Sequence, residues 1–187
     1  MTAPTIEPHA SWLPLQERAA ATENPLHKTL LTEVALHMEA GIKGQLEPLM
    51  ATLTAEPVYH FWRLPVGNMV LRGYTEVAGF YSNMFNTGGN QFEVVNRRIL
   101  VEDQGVITEG QVKQVYTREA LSAMGVTDTA NGSVQDQPLW LSCAQLITVW
   151  PAAADNKLVG EDIYFGEDPM TTLVPIAESA LPDYYQL

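Results

Sequence analysis

The feature that most constrains this chain is a change of hydrophobic period near Gln91. Upstream, Leu30, Val34, His37 and Met38 recur at helical spacing along one face of a stretch from about Pro25 to Gly41. Downstream, the residues read as strands at 91–102, 105–117, 138–151 and 157–166. Helices first and a long antiparallel meander afterwards define an α+β domain rather than an alternating α/β one. Asp103-Gln104-Gly105 predicts a tight hairpin turn, and 151–156 a longer hairpin loop. Residues 118–137 interrupt the meander with a helical turn near Ala120–Met124 and a polar loop around Asn131-Gly132.

The first half carries its own punctuation. Asn24 is placed to cap a helix with Pro25 at its first position, and Gly41 and Gly44 to end it. A second helix is expected over Leu46–Leu53 and a short aromatic strand over Val58–Trp62. Pro65 and Gly67 then turn the chain into a third helix from Tyr74 to Phe85, with Val77, Phe80, Tyr81 and Met84 on its apolar side. Residues 1–24 read as an arm with a short helix from Pro14 to Thr22, pinned by Trp12 and Leu13; residues 25–187 form a single domain. Thr87-Gly88-Gly89-Asn90 is a loop, and no phosphate-binding pattern follows its glycines.

Charge and composition narrow the function. The net charge of −12 argues against nucleic acid and anionic lipid, which require a positive face. Solubility is the plain reading of this acidity, and a neutral or weakly cationic ligand suits it better than a phosphorylated one. No apolar run reaches membrane-spanning length and the N-terminus is polar, so a cytoplasmic protein is expected. The lone Cys143 excludes an intrachain disulfide and reads as a small core residue. The histidines show neither HxH nor HExxH, so no metal is expected.

Strand alternation selects the candidate acids and bases. Glu109, Gln111, Lys113 and Val115 share one face, and Thr108, Gly110, Val112 and Tyr116 the other. On the last long strand Glu161, Ile163 and Phe165 share one face, and Asp162 and Tyr164 the other. A carboxylate held against apolar neighbours has its charged form disfavoured, which lifts its pKa toward the range of a general base. Glu109 and Glu161 are therefore the first candidates, followed by Asp162, because parity alone does not say which face points inward. The plain alternative for all three is solvent, or pairing with Arg97, Arg98 or Lys113. His60 among aromatics and His37 on a helix's apolar side can transfer protons or serve as hydrogen-bonded core residues, whereas His9 and His27 read as solvated. Tyr59, Tyr81, Tyr116 and Tyr164 can donate to a developing oxyanion. Trp62 and Trp140 suit the wall of an aromatic-compatible pocket, Trp150 suits the core, and Arg72 can hold a helix or bind a substrate oxygen. No GxSxG nucleophile signature occurs.

Several segments between 28 and 170 resemble the NTF2-like superfamily, and within it the SnoaL-like polyketide cyclase group. They are His37-Met38-Glu39-Ala40, Glu56-Pro57-Val58-Tyr59, Leu71-Arg72-Gly73-Tyr74, the strand Gly105 to Gly110, and Gly160-Glu161-Asp162-Ile163-Tyr164-Phe165. Gly166 stands where the family often has an aspartate, so that group's role is absent or moved. The resemblance implies a cone: three N-terminal helices packed on a curved sheet that encloses one pocket. Ketosteroid isomerases, scytalone dehydratase, limonene-epoxide hydrolases, diarylpropane lyases and non-catalytic proteins share this fold, so the fold leaves the activity open. The arginine–aspartate pattern of the epoxide hydrolases is missing, since Arg97 and Arg98 precede no such aspartate. The resemblance implies a cofactor-free lyase or isomerase for a small hydrophobic or aromatic molecule. Glu109, Glu161, Asp162, His60 and Tyr59 are its catalytic candidates, with Trp62, Tyr81, Tyr116, Trp140, His37, Arg72 and Tyr164 around the substrate. The alternative is a non-catalytic ligand-binding or assembly module. A homodimer is expected, because 138–151 supplies two apolar faces.

Overall fold

The computed structural model describes residues 5–62 and 67–187. Pro65, expected in a turn, and the first four residues of the arm lie outside the described residues. The chain runs through α1 (Leu13–Ala20), α2 (Pro25–Ile42), α3 (Leu46–Ala51), β1 (Leu53–Trp62), β2 (Met69–Arg72), α4 (Gly73–Asn86), β3 (Phe92–Glu102), β4 (Gly105–Thr117) and α5 (Arg118–Ala123). It continues through β5 (Asp128–Thr129), β6 (Gly132–Ser133), β7 (Leu139–Pro151), β8 (Leu158–Phe165) and β9 (Val174–Pro175).

Local chemistry sets the first long helix. Asn24 Oδ1 accepts from the backbone N–H groups of Leu26 and His27 at 2.9 and 3.3 Å, satisfying donors the helix cannot satisfy itself. Gly44 stops it with φ of +68°, a left-handed conformation that a side chain disfavours. Gly41, expected near the end, instead lies within α2, packed closely against Leu49.

The main sheet is ordered β2-β1-β8-β7-β4-β3, with β9 on β7. β3, β4, β7 and β8 form the antiparallel meander, while β1 runs parallel to β8 and is flanked by β2. One part of the expected architecture is corrected. The sheet is open and not strongly curled: its edges at β2 and β3 do not pair with one another, so it does not wrap a cone. Closure would need backbone bonds between those edges, and β2 spans only four residues.

The main core lies between one sheet face and the helices, with Leu30, Leu31, Val34 and Leu49 fully buried. The expected arm contributes to it. Ile6 and Leu15 are fully buried and Trp12 nearly so, while Leu13, expected as an anchor beside Trp12, is 45% exposed. The Ser11 hydroxyl accepts from Val94 N–H at 2.9 Å, which ties the arm to β3. A smaller cluster of Leu121, Val134, Trp140 and Leu173 packs the 118–137 segment over the far end of β7. No described helix is long and apolar enough to cross a membrane.

Candidate active site

β1 and β8 pair in register with Tyr59 beside Glu161 and His60 beside Asp162. Alternation then sends the first pair to the helix-covered face and the second to the outer face. Gly160 makes this approach possible: its φ is +150°, and a Cβ there would lie 1.8 Å from the Val58 carbonyl oxygen. α2 brings His37 and α4 brings Tyr81 over the same rung.

The result is a buried polar cluster. His37 is 2% exposed, Glu161 7%, Tyr59 0% and Tyr81 7%. The Thr52 hydroxyl donates to the Leu49 carbonyl at 2.6 Å, leaving its oxygen to accept from His37 Nδ1–H at 2.7 Å. That bond assigns the ring's resident proton to Nδ1 and turns Nε2 toward the cluster. Nε2 then accepts from the Tyr59 hydroxyl at 3.0 Å, while the Tyr81 hydroxyl, 3.2 Å from Nε2, donates to Glu161 Oε1 at 3.0 Å. Glu161 Oε1 itself stands 3.2 Å from His37 Nε2. Two acceptors thus face one another across a gap that a single added proton converts into a hydrogen bond. Burial above all, reinforced by the negative Glu161 and by each other's proximity, pushes the Tyr59 hydroxyl well above its ordinary value. Burial and Glu161 do the same for Tyr81. Both therefore remain donors across the physiological range.

His37, Tyr81 and Glu161 open on a cavity of about 380 Å³, and Tyr59 supports His37 from behind. The walls are apolar and aromatic, with Phe61, Phe80, Phe92, Phe165 and Trp150 among them. Among the described residues no lysine or arginine lines it. Trp150, expected in the core, is also wall: its ring lies 5.6 Å from His37 and its indole N–H donates to Thr108 at 3.1 Å. Tyr116 lines the opposite end, where burial pushes its hydroxyl up to about 12.

The other expected site residues lie elsewhere. Glu109 faces outward beside Arg98, 3.4 Å away, because the inward row of β4 holds Thr108 and Gly110. Asp162 and His60 meet on the outer face at 2.6 Å, both about 30% exposed. Trp62 and Tyr164 are stacked on that same outer face at 6.0 Å. Arg72 is exposed before α4, where its backbone N–H donates to Glu76. Trp140 sits in the smaller cluster, its indole bonded to the Val134 carbonyl at 3.3 Å, rather than on the cavity wall. Thr52, absent from the sequence-based candidates, has no motif to reveal it. Gln114 and Ser142 were legible as polar breaks in the inward rows of β4 and β7. Among the described residues no group of three or more histidine, cysteine, aspartate and glutamate side chains is gathered as a metal site would need.

Fold and site together define an α+β domain with a buried acid–base cluster at one end of an apolar cavity. The fold is similar to that of solved structures described as NTF2-like and SnoaL-like. A candidate SnoaL-like polyketide cyclase from Jannaschia sp. CCS1 superposes with a TM-score of 0.56 at 16% identity, over 78% of this chain and 90% of that one. A second candidate SnoaL-like cyclase, from Shewanella putrefaciens CN-32, gives 0.55 at 10% identity over 88% and 92%. An NTF2-like protein from Anabaena variabilis ATCC 29413 gives 0.54 at 12% identity over 80% and 96%. No protein-family model matches the sequence, and no curated protein matches it significantly.

Proposed function

We propose that this protein is a cofactor-independent lyase or isomerase for a small, uncharged, hydrophobic or aromatic carbonyl compound. The observation that carries the reading is the His37–Glu161 gap, buried, flanked by tyrosine hydroxyls and open to an apolar cavity. A C–H beside the substrate carbonyl gives its proton to this pair. The C–H electron pair moves into a carbon–carbon double bond, and the carbonyl oxygen takes the negative charge. Tyr81, the cavity-lining hydroxyl, is released by Glu161 as the pair takes that proton and then donates to the oxygen, and low surrounding polarity strengthens the bond. Returning the proton to a different carbon completes an isomerisation. Expelling a leaving group from the next carbon, with the proton passed to it, completes an elimination. Tyr59 and Thr52 hold the imidazole and act through it as positioning residues.

Exchange of the α-hydrogens of 2-tetralone in heavy water, followed by NMR, tests the proton-transfer step without the natural substrate. The wild-type protein should accelerate exchange, and Glu161→Gln should lose about two to four orders of magnitude of that acceleration. Wild-type exchange no faster than buffer would leave the non-catalytic ligand-binding module as the reading of this cavity.

A further inference from the structure

The cavity has a second polar end that proton transfer does not use. Along β7 the cavity-lining positions include Trp150, Thr148, Leu146 and Ser142. Val149 pairs with Asp162, which sets Trp150 beside Glu161, and Ser142 pairs with Gln114. Eight residue steps of β7 therefore separate the two polar rungs, about 26 Å of strand at roughly 3.3 Å per residue. Between them the wall is apolar but for Thr148, with Val94, Val112, Leu146, Ile163 and Phe165. A volume of about 380 Å³ drawn out between two such ends is slender, and it lies toward the small end of ligand cavities.

The far end offers acceptors. The Tyr116 hydroxyl donates to Gln114 Oε1 at 3.0 Å, and the Ser142 hydroxyl donates to the Gln114 carbonyl at 3.5 Å. Gln114 Nε2 gives one of its two hydrogens to the Gly89 carbonyl at 3.2 Å. The Tyr116 and Ser142 oxygens, having donated, retain lone pairs for a donor. At the deep end Tyr81 turns its hydroxyl to a substrate oxygen once Glu161 shares the transferred proton. Met124, 57% exposed, lines the cavity beside Tyr116 and Met170, so the acceptor end lies at the mouth. Five of the seven methionines, Met38, Met69, Met84, Met124 and Met170, line the cavity and give it adaptable walls.

We infer that the ligand is an elongated, uncharged keto-alcohol, its carbonyl at the His37–Glu161 end and its hydroxyl donating to Tyr116 and Ser142 at the mouth. The orientation of the carbonyl rests on the proton-transfer reading above; the two-ended recognition rests on the second polar rung. A carboxylate or phosphate at either end would meet no lysine or arginine among the described residues.

Isothermal titration calorimetry with two homologous series separates the two ideas. The first series is plain 2-alkanones, and the second the same ketones with a terminal hydroxyl, spanning roughly twelve to twenty-two carbons to bracket the distance between the rungs. At the best-fitting length the hydroxy ketone should bind about three- to tenfold tighter than its plain counterpart, the worth of one added hydrogen bond. Tyr116→Phe combined with Ser142→Ala should collapse that ratio toward one. If plain ketones bind and the hydroxyl adds nothing at any length, the two-ended inference is wrong while the proton-transfer site stands. If neither series binds, both fall. A preference that survives the double variant would place the hydroxyl elsewhere and also overturn the assignment.

Discussion

Glu161 and Asp162 are consecutive on β8 and each meets a histidine, yet they live in opposite surroundings. Asp162 and His60 form the shorter contact, 2.6 Å, on the outer sheet face with about 30% of each side chain exposed. Glu161 and His37 stand 3.2 Å apart, 8% and 2% exposed, with two tyrosines on the same rung. The shorter contact is the weaker candidate for chemistry. Water screens it, and the described cavity lies on the other face. The longer contact has its competing water removed and a cavity in front of it, so a proton placed there acts on whatever the cavity holds. What separates the two is one step of strand alternation, together with the helices that cover only one face.

The sharpest way to break this comparison is to remove each pair in turn. His37→Asn should cost about two to four orders of magnitude in 2-tetralone exchange, whereas His60→Asn and Asp162→Asn should each cost less than about threefold. Equal losses on both faces would erase the distinction. The same contrast between faces applies to the N-terminal segment. Leu15→Ala removes a fully buried side chain and should destabilise the fold by about 2–5 kcal/mol, while the exposed Leu13→Ala should stay within about 0.5 kcal/mol. Urea denaturation reads both, and a small effect at Leu15 would detach this segment from the core.

Alkaline pH probes the buried tyrosines. The hydroxyls of Tyr59 and Tyr81 are held well above the ordinary value of 10.0 and those of Tyr116 and Tyr185 near 12, in each case chiefly by burial. A folded-state value raised above the unfolded one favours the native state fully below the unfolded value, and that contribution is lost as pH rises through the folded values. Four of the seven tyrosines should thus be late to ionise by tyrosinate absorbance, and stability should fall above pH 10 as they are forced to do so. Titration of all seven together in the folded protein would contradict the buried cluster. The smallest effect concerns the outer face. Leu100, Ile107, Val70 and Tyr164 are exposed there, and a second copy of the chain is the expected cover. Sedimentation should show a dimer that Leu100→Glu weakens; a wild-type monomer at micromolar concentration would remove that expectation.

Much of this was legible in the residues. The change of period at Gln91 specified helices before a meander, and Asn24-Pro25 marked the start of α2 to the residue. Alternation also sorted the candidates correctly into opposed pairs, Glu161 apart from Asp162 and Glu109 apart from Thr108. It left open which member faced inward, because the period of a strand is blind to the side on which a helix docks. Glu109 looked as promising as Glu161 until β4 placed it beside Arg98. His37 and Tyr81 read as separate candidates, a proton carrier and a hydroxyl donor on the apolar faces of two helices, 44 positions apart. Their convergence on Glu161, 80 positions beyond Tyr81, is written in no local pattern.

The sequence by itself determined the α+β class, the period of each element and the short list of groups able to move a proton, since these depend on side-chain chemistry and near-neighbour spacing. Only the tertiary structure decided that the sheet stays open, that β1 slots parallel to β8, and that His37, Tyr59, Tyr81 and Glu161 share one dry corner. Those outcomes depend on which faces of distant elements pack together. The burial that pushes the tyrosine hydroxyls upward exists only once that packing is complete.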